Sequence, residues 1–540
     1  MKLVSVKQMV RLEEEANKGG LSYKEMMARA GKGLAEVVHH EFFDRPGQPV
    51  LGLVGSGNNG GDALVALTQL IKKGWDASAY LAKEREKDDP LVSEFLESGG
   101  RVIQHKKDKG FEILASQVKN SNFVLDGILG TGIKLPLKGD IPAILRAVKD
   151  VKPMPKIVAV DCPSGIDCDT GDAADECIPA DITVCMAAVK DGLLRFPALG
   201  LVGEIRTVDI GLQPNLKGWK DVEGEVVGRE DAARLLPGRP KDSHKGTFGT
   251  VLIAAGSINY PGAVLLSAES AYKAGAGLVR AAVPGAIYEG LPGALPECTW
   301  IILPHAQGVI HSDAADVLLK YIESVQAMVL GMGWGQEDET LRFLEALLEI
   351  REGKKQRRKK LGFEEAESER AADSITFPPL AIDADGLRLL SKIADWEKKL
   401  PGHSIMTPHP GEMAALTGMD IDEIQKDRIG TARKFSEKWN QVVMLKGAGT
   451  VVADPSGKFA VIPIATPALA TAGTGDVLAG MIGGMLAQGL QPYHAAVLSS
   501  WLHAMAGRIT AKNLATDRCA TASDVIQALP EAFKQISGIT

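Results

Sequence analysis

Long apolar runs are missing from this chain. None of its 540 residues falls in a stretch of the roughly 18 apolar residues that a bilayer-spanning helix needs. The longest candidate, 477–490, is shorter and glycine-rich, and reads as a buried helix. A secretory leader is missing too: residues 1–20 carry Lys2, Lys7, Arg11 and the run Glu13, Glu14, Glu15 with no apolar centre, so a soluble cytoplasmic protein is expected. Strong charge of one sign is absent, because 61 Lys and Arg against 68 Asp and Glu leave a net −7. That balance offers no electrostatic case for nucleic acid or an acidic membrane surface. Six cysteines in this length form no disulfide framework. Cys162, Cys168, Cys177 and Cys185 lie close together, but their five, eight and seven intervening residues lack the paired short spacing of zinc ligands.

What is present is a globular balance of 45% hydrophobic and 24% charged residues over a length beyond the roughly 250–300 at which one core stops growing. Two domains are expected, 1–218 and 225–540, with the polar, turn-rich 213–224 between them. Ser22-Tyr23-Lys24-Glu25 reads as a capping box opening a helix to about Val38. Strands are expected at 49–54, 77–82, 101–104, 122–126, 156–161 and 181–186, with helices near 62–73 and 90–98. Strands alternating with helices argue for a mostly parallel sheet covered on both faces. A second α/β series starts at the strand 250–254. The segment 351–374 runs through a basic block and then an acidic one; no aromatic residues accompany the basic block to stack on bases, so it reads as a solvated insertion.

Gly55-Ser56-Gly57-Asn58-Asn59-Gly60-Gly61-Asp62 follows the first strand. It contains G-x-G-x-x-G, but no acidic residue stands at the end of the next strand, where a dinucleotide fold needs one: Asp76 precedes that strand and Glu84 follows it. The glycines leave amides unshielded at a helix start, which suits an anionic ligand. Two further loops fall at strand ends, where open α/β sheets bind ligands: Asp126 through Gly132, and Asp161 through Asp167. One aspartate in such a place commonly caps a turn. Three at successive strand ends, Asp62, Asp126 and Asp161, are better explained by a crevice whose oxygens suit a hard cation.

These loops, with Ser22 through Met27, Phe196-Pro197, Gly203-Glu204 and Asp209-Ile210-Gly211, resemble the signatures of the NAD(P)H-hydrate epimerase family over nearly all of 1–212. The resemblance implies a Rossmann-like doubly wound domain in which Asn59, Asp126 and Ser164 hold a potassium ion. It implies substrate contacts at Asn58, Asn59, Gly60, Gly61 and Asp62, at Gly130, Thr131, Gly132, Ile133, Lys134, Leu135 and Pro136, and at Asp161, the residue nominated for proton transfer. Ala63 stands where that family continues with glycine.

The second half carries Gly331 to Gly335, Asp383-Ala384-Asp385, Thr407 to Glu412, Lys446 to Thr450, and Thr471 to Asp476 before a glycine-rich helix. Gly473 and Gly475 are expected at positive φ, leaving amides to cradle developing negative charge. Asp476 is expected in the first helical turn, where the helix dipole keeps it ionised, to accept a proton during phosphoryl transfer. The plain alternative for Asp476 is a helix cap. His409, between two prolines in a loop, reads as a substrate contact. Lys446, Gly447, Ala448, Gly449 and Thr450 offer amides to a nucleotide, together with Gly473, Thr474 and Gly475.

This set resembles the ADP/ATP-dependent NAD(P)H-hydrate dehydratase branch of the ribokinase-like superfamily over about 225–540. The resemblance implies Mg²⁺, ADP or ATP as co-substrate, and dehydratase substrate contacts at Ala263, Gly333, Gly335, His409 and Asp476. Gly386 and Thr474 depart from that family's usual residues without removing a catalytic group. The whole reads as a nicotinamide-nucleotide repair enzyme acting on hydrated NADH and NADPH, with small-molecule partners and a homo-oligomeric state expected. The alternative is a hydroxyl kinase fused to a non-catalytic Rossmann-like binding module.

Overall fold

The computed structural model describes residues 1–42, 47–86, 88–351 and 376–538. The charged insertion expected at 351–374 therefore lies, apart from Arg351, outside the described residues. The chain forms two compact units, Met1–Gly228 and Arg229–Thr540. The boundary falls later than the stretch 213–224 because that stretch is tied into the first unit. The backbone amides of Lys217 and Gly218 donate to the Glu15 carboxylate at 2.7 and 2.9 Å, and the Val226 amide donates to the Met1 carbonyl at 2.8 Å.

In the first unit, seven strands pair in parallel in the spatial order Arg101–Gln104, Asp76–Leu81, Pro49–Val54, Phe123–Gly127, Lys156–Val160, Ile182–Met186, Glu204–Val208. Chain order runs outward from Pro49–Val54 to one edge, then returns to its other side. This reversal opens a crevice beyond the carboxyl ends of Pro49–Val54 and Phe123–Gly127, the switch point where such sheets take ligands. The strands read as apolar runs because both faces are covered. Val50 and Val54 join a core built with helices Val6–Lys18, Tyr23–Glu41 and Asn58–Lys72, while Leu51 and Leu53 join one built with Glu112–Asn120 and Ile141–Lys149. Strand periodicity thus sorts one residue to each layer.

Two elements differ from expectation here. The Ser22 capping box is present, but its helix continues to Glu41. The helix after the glycine turn begins at Asn58, not near 62, with Gly57 as its N-cap. The asparagines and Asp62 therefore sit in its first turns. A Cβ on Gly60 would lie 2.1 Å from the Gly55 carbonyl oxygen, so only glycine lets the helix start so close to the strand.

In the second unit, nine strands follow the order Phe459–Val461, Val451–Ala453, Val442–Leu445, Ile405–Met406, Leu380–Ile382, Ala327–Leu330, Thr250–Ala254, Leu278–Pro284, Thr299–Leu303. All pairings from Val442–Leu445 onward in that order are parallel; the two before it are antiparallel. The chain again reverses direction, between Thr250–Ala254 and Ala327–Leu330. Helix Thr474–Ala487 is buried along nearly its whole length, and a Cβ on Gly480 would meet the Ser267 carbonyl oxygen at 2.0 Å. Its glycines let it lie against helix Gly262–Lys273. Both halves are α/β, as their alternating patterns require. Among the described residues no helix is long and apolar enough to cross a membrane.

Candidate active sites

In the first unit a cavity of about 600 Å³ opens at the switch point. Its wall gathers Asn58, Asn59 and Asp62 from the start of helix Asn58–Lys72, Gly130, Thr131, Gly132, Ile133 and Lys134 from one loop, and Asp161 from another. Gly60, Gly61, Leu135 and Pro136 lie outside that wall; the two glycines instead shape the turn behind it. Glu13, Tyr23 and Lys83 line the cavity without having been foreseen.

Asp161 ends strand Lys156–Val160 with φ at +64°, a left-handed conformation rare outside glycine and characteristic of functional loops. Its carboxylate accepts from the Met186 amide at 2.9 Å and forms a buried ion pair with Lys190. Burial alone would lower the Lys190 pKa, but the charge of Asp161 outweighs it and holds the ammonium above its usual range. Asp62 lies nearby, and among the described residues it has no ion-pair partner. Burial, then repulsion from Asp161 and Glu13, pushes its carboxyl up to about 8. Burial likewise raises Glu13, with Lys190 opposing. Three acidic groups thus share one ammonium, and their environments drive Asp62 toward the protonated form.

Behind this wall, Asp126 is fully buried. It accepts from the Ser164 amide at 2.8 Å and the Ser164 hydroxyl at 2.5 Å, while Ser164 Oγ accepts from the Leu129 amide at 2.9 Å. Asn59 donates to the carbonyls of Leu129 and Val160 at 3.1 and 2.5 Å. Among the described residues no cationic side chain pairs with Asp126. Burial raises its pKa and the Ser164 hydrogen bonds oppose the rise. An unpaired buried carboxylate among hydroxyl, amide and carbonyl oxygens is a donor set that fits a hard cation.

In the second unit, the carboxyl ends of four neighbouring strands supply Gly331 to Gly335, Asp383, Thr407 to His409, and Lys446. The Gly335 amide donates to Asp385 at 2.9 Å, and Gly333 packs against Ala263, so these loops converge. Lys446 makes a short ion pair with Asp383 and stands 3.8 Å from Glu412. Both carboxylates are buried. Burial opposes the Lys446 charge, but Asp383 and Glu412 outweigh it and raise the pKa. A Cβ on Gly475 would stand 3.7 Å from both Asp383 Oδ2 and Lys446 Nζ, which brings the turn against this cluster.

Two expectations about that turn are corrected. Gly473 is the N-cap at φ +87°, but Gly475 is helical, because the helix already begins at Thr474. Asp476 makes no cap hydrogen bond, and the helix dipole does not keep it ionised. Burial, then repulsion by Asp383, pushes its carboxyl up to about 7, with Lys446 opposing. His409 caps the helix Pro410–Thr417, accepting at Nδ1 from the amides of Gly411 and Glu412 at 3.0 and 3.2 Å, and leaves Nε2 3.3 Å from Glu412. In the loop after Lys446, Thr450 Oγ donates to the Gly447 carbonyl at 2.8 Å, while Gly447 and Ala448 stay exposed.

Comparison with known proteins bears on both units. A family model described as NAD(P)H-hydrate dehydratase matches residues 251–354 and 361–531, and one described as YjeF-related protein N-terminus matches 23–192. The bifunctional NAD(P)H-hydrate repair enzyme Nnr of Moorella thermoacetica is 32% identical over 95% of this chain and 92% of its own length. The enzyme of the same name from Escherichia coli is 31% identical over 96% and 90%. The chain belongs to the bifunctional NAD(P)H-hydrate repair enzyme family. A solved ADP/ATP-dependent NAD(P)H-hydrate dehydratase from Bacillus subtilis, co-crystallised with ATP and Mg²⁺, is 29% identical and covers 58% of this chain and 99% of its own, with a TM-score of 0.47.

Besides Tyr23 and Lys83, the residues Glu13, Lys190 and His503 were missed from sequence. Glu13 stands in a glutamate run that reads as an exposed helix face. Lys190 follows the apolar stretch 182–189, and a lysine in such a setting must be paired if buried; that was its one signal. His503 lies on helix Pro492–Asn513 beneath the turn, is buried, and leaves its Nε2 without a hydrogen-bond partner. Burial pulls its pKa down to about 4, so it is neutral.

Proposed function

We propose that the chain repairs hydrated NADH and NADPH, with the first unit interconverting the R and S forms at C6 and the second restoring the S form at the expense of ADP or ATP. The observation that carries the reading is the carboxylate cluster at the anion-binding turn, where Asp476, raised to about 7, stands beside the Asp383–Lys446 pair. A base acts best with a pKa near working pH.

In the second unit, Asp476 takes the proton of the C6 hydroxyl as its oxygen attacks the terminal phosphorus and the bond to the nucleotide leaving group breaks. The amides of the Gly473–Gly475 turn face the charge on the transferred group. Transfer of the C5 proton to water then expels phosphate from C6 and restores the ring double bond. Hydroxide is a poor leaving group and phosphate a good one, which is why a nucleotide is consumed. Asp383, Glu412 and Asp476 outnumber Lys446, so net negative charge remains for a divalent cation. Among the described residues no three His, Cys, Asp or Glu side chains converge as a metal site. Mg²⁺ would therefore be held by one or two of these carboxylates plus phosphate oxygens, where it neutralises phosphate charge.

In the first unit, Asp62 carries a proton at neutral pH while Asp161 is paired with Lys190. The raised Asp62 carboxyl suits a proton donor, and the ion-paired Asp161 carboxylate lines the same cavity as a proton acceptor. Asp62 protonates the departing C6 hydroxyl, the ring nitrogen lone pair closes a C=N bond, and water returns on the opposite face with its proton passing to Asp161. Asn59, Asp126 and Ser164 would hold potassium, whose charge offsets the buried Asp126 and fixes the loops carrying Gly130 and Ser164. Incubating the full chain with hydrated NADH and ADP or ATP tests the reading: the absorbance of the reduced ring should return, and a stable phosphorylated product without it would favour a hydroxyl kinase instead.

A further inference from the structure

A second cavity, of about 900 Å³, lies in the first unit beyond the carboxyl ends of Asp76–Leu81 and Arg101–Gln104. It adjoins the first. Lys83 lines both, and Asp140 on the wall of one is followed directly by Ile141 on the wall of the other. Its lining combines apolar side chains with the cations Lys83, Arg85, Lys106 and Lys107 and the acids Glu84, Glu86 and Asp140. Leu96 and Ile113, 49% and 43% exposed, both face it. His105, stacked on Phe111 at 5.6 Å between ring centroids, adds a flat aromatic surface. Of the lining cations, Lys106 pairs with Glu84 at 2.9 Å and Arg85 with Asp89 at 2.6 Å. Lys83 and Lys107 have no ion-pair partner among the described residues.

We propose that this cavity is the subsite for the adenosine half of the hydrated dinucleotide, with Lys83 at the junction meeting the pyrophosphate and Lys107 meeting the 2′-phosphate of the NADPH form. The inference rests on the epimerase reading of the first cavity. A dinucleotide placed at the switch point extends its second half past one of the two flanking strands, Asp76–Leu81 or Lys156–Val160, and the adjoining cavity lies on the Asp76–Leu81 side. Leu96, Ile113 and His105 then cover an adenine face, and the two unpaired ammonium groups meet phosphates as point charges. Arg85 is committed elsewhere, donating to the Gly55 carbonyl at 2.6 Å, so it braces the glycine turn from the rim of this cavity.

The test uses the full chain without added ADP or ATP, following exchange of separated R and S epimers by chromatography. Three substrates are compared: hydrated NADPH, hydrated NADH, and hydrated reduced nicotinamide mononucleotide, which lacks the adenosine half. Lys83→Ala should raise KM about tenfold for both dinucleotides and by clearly less for the mononucleotide, which keeps only one of the two phosphates. Lys107→Ala should raise KM for hydrated NADPH alone. Equal losses on all three substrates, or no loss on any, overturn the subsite while leaving the epimerase reading intact. A wild-type chain that never exchanges the epimers overturns that reading and this inference with it.

Discussion

Replacing Lys190 with methionine isolates the feature that sequence reasoning missed in the first unit. The side chain of Lys190 is 2% exposed and pairs with Asp161, whose own is 10% exposed. Methionine fills similar volume, so the perturbation is the loss of one ammonium. Asp161 would then be a buried charge with the acidic Glu13 and Asp62 close enough to repel it. Removing one partner of a buried pair costs about 3–5 kcal/mol. At about 1.4 kcal/mol per tenfold, that is two to three and a half orders of magnitude in a local opening equilibrium. Native-state hydrogen exchange of the strand amides 156–160 and 182–186 reads it in the full chain without assuming one global transition. The deficit should shrink as pH falls: an unpaired buried carboxyl has a folded pKa above its unfolded one, so its penalty appears only as pH rises above the unfolded value. The double variant Lys190→Met/Asp161→Asn should recover most of the loss, since neither partner is left charged. A single variant exchanging within tenfold of wild type at neutral pH would refute the claim that the pair is buried and mutually dependent.

Asp476→Asn should lower dehydration about 10²–10⁴-fold, the usual worth of a positioned base, while epimer exchange in the same preparation stays at the wild-type rate. Dehydration in the wild type should rise as pH passes about 7, where Asp476 loses its proton, and then level off. Epimer exchange should instead fall above about pH 8, as Asp62 ionises and can no longer protonate the leaving hydroxyl; a rate that keeps rising there would remove Asp62 from that role. Gly473→Ala forces a side chain into φ +87° and within 2.7 Å of Leu266 Cδ1, so dehydration should drop with the first unit unaffected, as separate assays of the two reactions would record.

Much of this arrangement was legible because it is local. Glycine turns at strand ends, the Ser22 capping box and Asp62, Asp126 and Asp161 at successive strand ends all announce themselves within a few residues. The groups that complete the sites come from far along the chain. Lys190 stands 29 residues beyond Asp161, and Lys446 stands 63 beyond Asp383. No periodicity links such pairs; only the parallel sheet brings their strand ends together. The electrostatics of Asp476 were misjudged for the same reason. A helix N-terminus is visible in sequence, whereas burial and the nearby charge of Asp383 are not, and these outweigh the dipole.

The account turns on two reactions carried by one chain and meeting at one epimer. Purified R epimer of hydrated NADPH, given to the full chain with ATP and Mg²⁺, tests this most directly through return of the reduced-ring absorbance. The account predicts full recovery by the wild type, and by Asp476→Asn only a mixture of R and S without recovery. A wild type that leaves the R epimer unchanged while restoring the S epimer would contradict it.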